Sequence, residues 1–150
     1  MKTFIACTTL CLACASGHAS AASPGEQEAI AMSERAATMM AQKGKHIVVG
    51  MIQEKDPQFV HPTMYLEVRD LYTGIVMAHP LDPSMVGTDR SAAVGPLASQ
   101  YPRQVIELAQ RSGKGWVDYQ YRHPATGVTE TRSSYVLRVG DLVLEAAIKK

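Results

Sequence analysis

A chain of 150 residues, 46% apolar and 19% charged, has the makeup of one soluble globular domain with a real core. Its formal charge of +1 comes without a dense basic stripe. That argues against nucleic acid as a partner, because phosphate binding needs clustered Lys and Arg.

The chain opens with Lys2, an apolar run from Phe4 to Ala15, and small residues at Ala19-Ser20-Ala21. This pattern predicts a secretory signal peptide over residues 1–21 and a single ligand-binding domain over 22–150. The apolar run is too short and too weakly apolar for a convincing membrane span. A retained anchor and lipidation at Cys14 are the alternatives. Cys7, Cys11 and Cys14 all lie inside the signal. After cleavage the chain has no thiol for a disulfide, a nucleophile or a metal. Lys2 leaves as well, so the formal balance falls to zero. Such a domain suits the bacterial periplasm or secretion.

A short linker leads into one long amphipathic helix, expected from Glu26 to about Glu54, with Ile30, Ala37, Met40, Ile47 and Met51 at helical spacing. Gly44 and Gly50 weaken it by about 1 kcal/mol each relative to Ala, and Asp56-Pro57 ends it. Its front half is expected to project and to offer a surface for a homodimer. A hairpin follows, Met64 to Val68 and Ile75 to Ala78 around a turn ending at Gly74, and it stops at His79-Pro80. The Pro- and Gly-rich segment LDPSMVGTDRSAAVGPLASQYP reads as a lid. A helix from Pro102 to Arg111 precedes three strands: Gly115 to Arg122, Val128 to Val139 after a turn at Pro124–Gly127, and Leu142 to Ile148 after Gly140-Asp141. The order predicts an α+β domain with a five-stranded antiparallel sheet, a long N-terminal helix and a lid segment.

Arg132, flanked by Ser133 and Ser134, offers a guanidinium that matches a small carboxylate bidentately. The plain alternative is a solvated strand residue. His79, at a strand end beneath the lid, is either a pocket contact or a histidine tied to lid backbone. On the strand after Gly115, Trp116 and Asp118 face one side and Val117, Tyr119 and Tyr121 the other. These aromatics cannot all line one cavity unless the strand bulges, and Tyr119 and Tyr121 are favoured. Tyr65 and Tyr135 are further phenols on neighbouring strands, either pocket or core. The candidate ligand-binding set is Tyr65, His79, Trp116, Tyr119, Tyr121, Arg132 and Ser134. No catalytic or metal-binding residue is assigned. His46, His61, His79 and His123 lack metal-ligand spacing. No haem, nucleotide or nucleophile-elbow motif is present, so no cofactor is expected. A hydrolase triad of Ser133 or Ser134 with His79 and Asp118 is the least favoured reading. The Met-rich helix reads as core.

Tyr65–Asp70, Gly74, Ala78-His79-Pro80, Val86-Gly87, Gly115–Tyr119, Pro124 and Ser133–Val136, in this order and spacing, resemble the motifs of single Cache domains of the second type. These are PAS-like extracytoplasmic sensor modules of bacterial chemoreceptors and histidine kinases. The likeness covers about Ala29 to Lys149. It implies a long helix behind a five-stranded sheet and a small-ligand pocket on the other face, roofed by the segment after His79. It also implies ligands of the acetate, propionate, lactate and pyruvate class. Arg132 stands where the family usually has Lys. The sequence runs to Lys150 without the transmembrane helix and output domain into which such sensors continue. The expectation is therefore a stand-alone, non-enzymatic domain that binds a small organic acid and informs a membrane signalling partner. The rival is a helix-mediated interaction module without a small ligand.

Overall fold

The computed structural model describes residues 21–90, 96–122 and 126–150. The expected signal segment lies outside the described residues apart from Ala21, and so do His123, Pro124 and Ala125 of the expected turn.

Helix α1 spans Pro24–Lys43. Ser23 caps it reciprocally: the Glu26 amide donates to Ser23 Oγ, and the Ser23 amide donates to Glu26 Oε2. A cap of this kind is worth about 1 kcal/mol. Ala29, Met32, Ser33, Ala36, Met39 and Met40 form its buried stripe. The single helix expected to run to Glu54 is instead two. Gly44 sits at φ 93°, ψ 142°, ends α1, and starts α2, Lys45–Gln53. A side chain there would be strained by the backbone alone. Gly50, by contrast, continues α2 without a break.

The sheet has six strands rather than five: β1 Val60–His61, β2 Met64–Asp70, β3 Val76–Ala78, β4 Lys114–Arg122, β5 Thr129–Val139 and β6 Leu142–Lys149. The additional strand is the two-residue β1, which pairs with β2 in a segment that reads as loop. The spatial order is β1-β2-β6-β5-β4, with β3 also on β2 and all pairings antiparallel. Helix α3 spans Pro96–Ser112, with Pro102 inside rather than at its start.

Period-two alternation splits the sheet into two unlike faces. Leu66 and Val68 of β2, Tyr135 and Leu137 of β5, and Leu144, Ala146 and Ile148 of β6 pack with Met32, Ala36, Met40, Val48 and Ile52 of α1 and α2. The second face carries a smaller apolar cluster, with Val105 and Ala109 of α3 against Val117, Val136 and Val143. Around that cluster the second face is polar.

Candidate functional site

Three strands send charged residues to the α3 side of the sheet. On β2 the residues Tyr65, Glu67 and Arg69 alternate with the buried Leu66 and Val68. On β6 Glu145 stands between Leu144 and Ala146, both fully buried on the other face. The register places Glu67 opposite Glu145, and Glu145 opposite Val136.

Arg69 joins the two acids. Its Nε donates to Glu145 Oε1 at 2.8 Å, its Nη2 to Glu67 Oε1 at 2.8 Å, and its Nη1 to the Gly74 carbonyl at 3.1 Å. Its side chain is 2% exposed and that of Glu145 1%. Burial works against the Arg69 charge, but Glu145 and Glu67 outweigh it and hold the guanidinium above its usual range. Burial, then the Glu145 charge, pushes Glu67 up to about 8, against the pull of Arg69 and Arg90. Burial and the neighbouring acid thus favour the protonated form of Glu67, while Arg69 is the one guanidinium that serves both carboxyl groups.

Tyr101 of α3 closes this network from above. Its hydroxyl lies 2.7 Å from Glu145 Oε2 and 2.8 Å from Ser134 Oγ. With one proton, it donates to the carboxylate and accepts from the Ser134 hydroxyl. Burial and the Glu145 charge raise its pKa well above the ordinary phenol value. The Tyr119 ring stacks on Tyr101 at 4.1 Å between centroids.

His79 is fixed at both ends. Its backbone amide donates to Gln53 Oε1, and its Nδ1 accepts the Asp82 amide at 2.9 Å. Nδ1 as acceptor puts the proton of the neutral ring on Nε2. That nitrogen lies 3.4 Å from the Tyr65 hydroxyl and 3.9 Å from Glu67 Oε2. Burial lowers the His79 pKa, with Asp82 opposing. One nitrogen of this histidine is tied to loop backbone and the other faces the polar cluster.

Arg132 forms a second group farther along β5. Its guanidinium carbon lies 3.9 Å above the Tyr121 ring, its Nε donates to Glu130 Oε1 at 2.7 Å, and its Nη2 lies 2.6 Å from the same oxygen. Lys149 Nζ takes the other Glu130 oxygen at 2.9 Å. The Arg132 side chain keeps 23% exposure, against 2% for Arg69. Burial, and after it the Glu67 charge, raises the Tyr65 pKa, with Arg132 opposing.

Of the sequence-derived set, Tyr65, His79, Tyr119, Tyr121, Arg132 and Ser134 thus share the α3 side. Trp116 does not join them. It packs on Tyr135 at 5.3 Å and belongs to the α1–α2 side. Strand β4 pairs with β5 residue for residue without a bulge, so its alternation places Trp116 on the opposite face. The imagined triad is not assembled either: Ser133 bonds Asp118 at 2.6 Å, Ser134 bonds Tyr101, and His79 bonds neither. Glu67, Arg69, Tyr101 and Glu145 carry the network, yet the sequence reading gave none of them a role. A single acid in the apolar run LVLEAAIK is the visible signal for Glu145.

A cleft of about 210 Å³, lined by Gln100, Tyr101, Gln104, Asp118, Tyr119, Gln120 and Thr131, opens between α3 and the β4 edge. It reaches the network at Tyr101 and Tyr119 rather than beside His79. The side chains of residues 91–99, between Arg90 and Gln100, lie outside the described residues. Among the described residues no group of three His, Cys, Asp or Glu side chains is placed to hold a metal. No described helix is long and apolar enough to cross a membrane.

A helix pair behind an antiparallel sheet, with a polar opposite face under a third helix, is the α+β plan of PAS-like sensor modules. The sequence profile of the family Single Cache domain 2 matches residues 28–141, and the chain belongs to that family of sensor domains. Solved structures of sensor domains share the fold. One is a "Periplasmic sensor domain of chemotaxis protein", with a TM-score of 0.61 and 18% identity over 82% of this chain and 88% of that one. Another is described under the words "Structural basis for carboxylic acid recognition by a Cache chemosensory domain", with a TM-score of 0.60 and 18% identity over 82% of this chain and 86% of the other. A methyl-accepting chemotaxis protein from Vibrio parahaemolyticus reaches a TM-score of 0.57 at 15% identity, over 82% of this chain and 81% of that one. No curated protein matches the chain.

Proposed function

We propose that this Cache domain is an exported, non-enzymatic sensor module that binds a short-chain carboxylate on its α3 side and passes occupancy to a membrane signalling partner. The observation that carries the reading is the contrast between its two arginines. All three nitrogens of Arg69 are engaged, so it has no edge left for a ligand. Arg132 spends Nε and Nη2 on a single Glu130 oxygen, remains partly exposed, and lies beside the phenols Tyr121 and Tyr119. A carboxylate accepts bidentate hydrogen bonds from such a guanidinium, and the phenols add neutral donors. The carboxylic-acid recognition stated for one structural neighbour points the same way. Export after cleavage near Ala21 follows from the N-terminal pattern.

Calorimetric titration of the purified protein with C2 to C4 organic acids tests this. Binding is expected, and Arg132→Ala is expected to weaken it by about 2 kcal/mol, roughly thirtyfold, with the thermal unfolding midpoint preserved. Absence of heat and of any thermal shift with every acid removes the carboxylate reading. Unchanged affinity in Arg132→Ala removes Arg132 from it.

A further inference from the structure

Arg132 already holds a carboxylate, one that belongs to the chain itself. Its Nε donates to Glu130 Oε1 at 2.7 Å, and its Nη2 lies 2.6 Å from the same oxygen. These two nitrogens form one edge of the guanidinium, an edge that can grip a carboxylate bidentately. Glu130 fills it only in part. It stands two residues before Arg132 on β5 and reaches the edge with one oxygen, whereas a carboxylate arriving head-on offers both. The other Glu130 oxygen is held by Lys149 Nζ at 2.9 Å. Lys149 lies opposite Arg132 in the β5–β6 register, and its side chain is 69% exposed.

We propose that Glu130 is a built-in competitor of the ligand: the incoming carboxylate takes the Nε–Nη2 edge of Arg132, and Glu130 swings away together with Lys149. The proposal rests on the carboxylate reading of Arg132 and names the residue that sets the affinity there. The Arg132–Glu130 pair is partly open to solvent, with 23% and 19% of the two side chains exposed. It therefore separates more readily than the buried pair of Arg69 and Glu145. Glu130 keeps a counter-charge when it leaves, because the exposed Lys149 ammonium can follow it. Arg132 keeps its place, because the Tyr121 ring lies under its guanidinium whichever carboxylate it grips.

Hydrogen bonds from Lys149, and after it Arg132, hold the Glu130 carboxyl below its usual range, so the competitor is charged at neutral pH. The apparent affinity of such a site is its intrinsic affinity reduced by the fraction of time that Arg132 is free. For an ion pair of ordinary strength near the surface the reduction is about fivefold.

Titration calorimetry of the purified protein with acetate and propanoate tests this. Glu130→Gln removes the charge and leaves a weaker acceptor, and it is expected to bind both acids about fivefold tighter than the wild type. Glu130→Asp keeps the charge but withdraws it from Arg132 by one methylene, and it is expected to gain affinity as well. A gain in Glu130→Gln without one in Glu130→Asp assigns the effect to charge at a distance and overturns the proposal. Lys149→Ala should weaken binding in the wild type, where the displaced Glu130 loses its partner, and change little in the Glu130→Gln background. An equal loss in both backgrounds overturns the proposal. So does unchanged or weaker binding in Glu130→Gln, which spares the carboxylate reading. Binding that emerges only once Glu130 is replaced supports the proposal. Circular dichroism checks the fold, and if Glu130→Gln does not fold, the gain or its absence in Glu130→Asp decides. No binding of either acid to any form overturns the carboxylate reading and this proposal together.

Discussion

The two faces of one sheet are stabilised by different physics. Toward α1 and α2 the strands present Leu66, Val68, Leu144, Ala146 and Ile148, a surface without charge in its core. Toward α3 the same strands present Glu67, Arg69 and Glu145, a buried ion network with few apolar neighbours. Apolar burial is non-directional and tolerates small shifts. A buried ion pair depends on every partner staying in place. The first face therefore serves as scaffold. The second is where a change of one proton alters the balance.

Removing the central cation should break this contrast most severely. Arg69→Ala leaves Glu145 buried beside Glu67 without a counter-charge, and a loss of about 3–5 kcal/mol is expected in denaturant unfolding. A loss below about 1 kcal/mol would mean that the network does not hold that face together. On the scaffold side, Leu66→Ala creates a cavity against α1 and α2 and should cost about 3 kcal/mol, with little dependence on pH. The sharpest test of the comparison is the pH response. Glu67 holds its proton in the folded state up to about 8, whereas the unfolded chain sheds it near 4.5. The stability tied to that proton is complete below 4.5 and is lost as pH rises toward about 8. His79 acts in the opposite sense. Its lowered pKa means that the unfolded chain takes the proton first as pH falls below 6.5, so acid disfavours the fold at this residue. Glu67→Gln should flatten the decline between pH 4.5 and 8 in unfolding curves, and a slope unchanged by the substitution would assign it elsewhere.

Much of the scaffold was legible in the sequence because it follows short periods. The alternation of Met64, Leu66 and Val68 with Tyr65, Glu67 and Arg69 gives β2 its two faces directly. Alternation also separates Trp116 from Tyr119, although it does not say which side binds. Gly44 and Gly50 look alike in sequence, and only the folded chain shows that Gly44 alone takes a positive φ. Pro102 reads as a helix start because proline needs no amide partner in a first turn, yet it lies inside α3. The polar network was the least legible part. Arg69 meets Glu145 across 76 positions of chain, and Tyr101 reaches the same acid across 44. No local pattern encodes such a meeting. Only the pairing of β2 with β6, and the docking of α3 over it, brings the partners together.

The strand order has a consequence for how the chain assembles during synthesis. Strand β6 is the last of the sheet to be made, yet it lies in the middle and alone joins β2 to β5. Until residues 142–149 are available, the β1–β3 half and the β4–β5 hairpin have no common strand. When β6 arrives it must choose its alignment against both at once. A slip of one residue would turn Glu145 into the apolar space behind the sheet and Leu144 toward Arg69. The acid in that strand thus acts as an alignment key: the sheet closes at the alignment that returns Glu145 to its guanidinium.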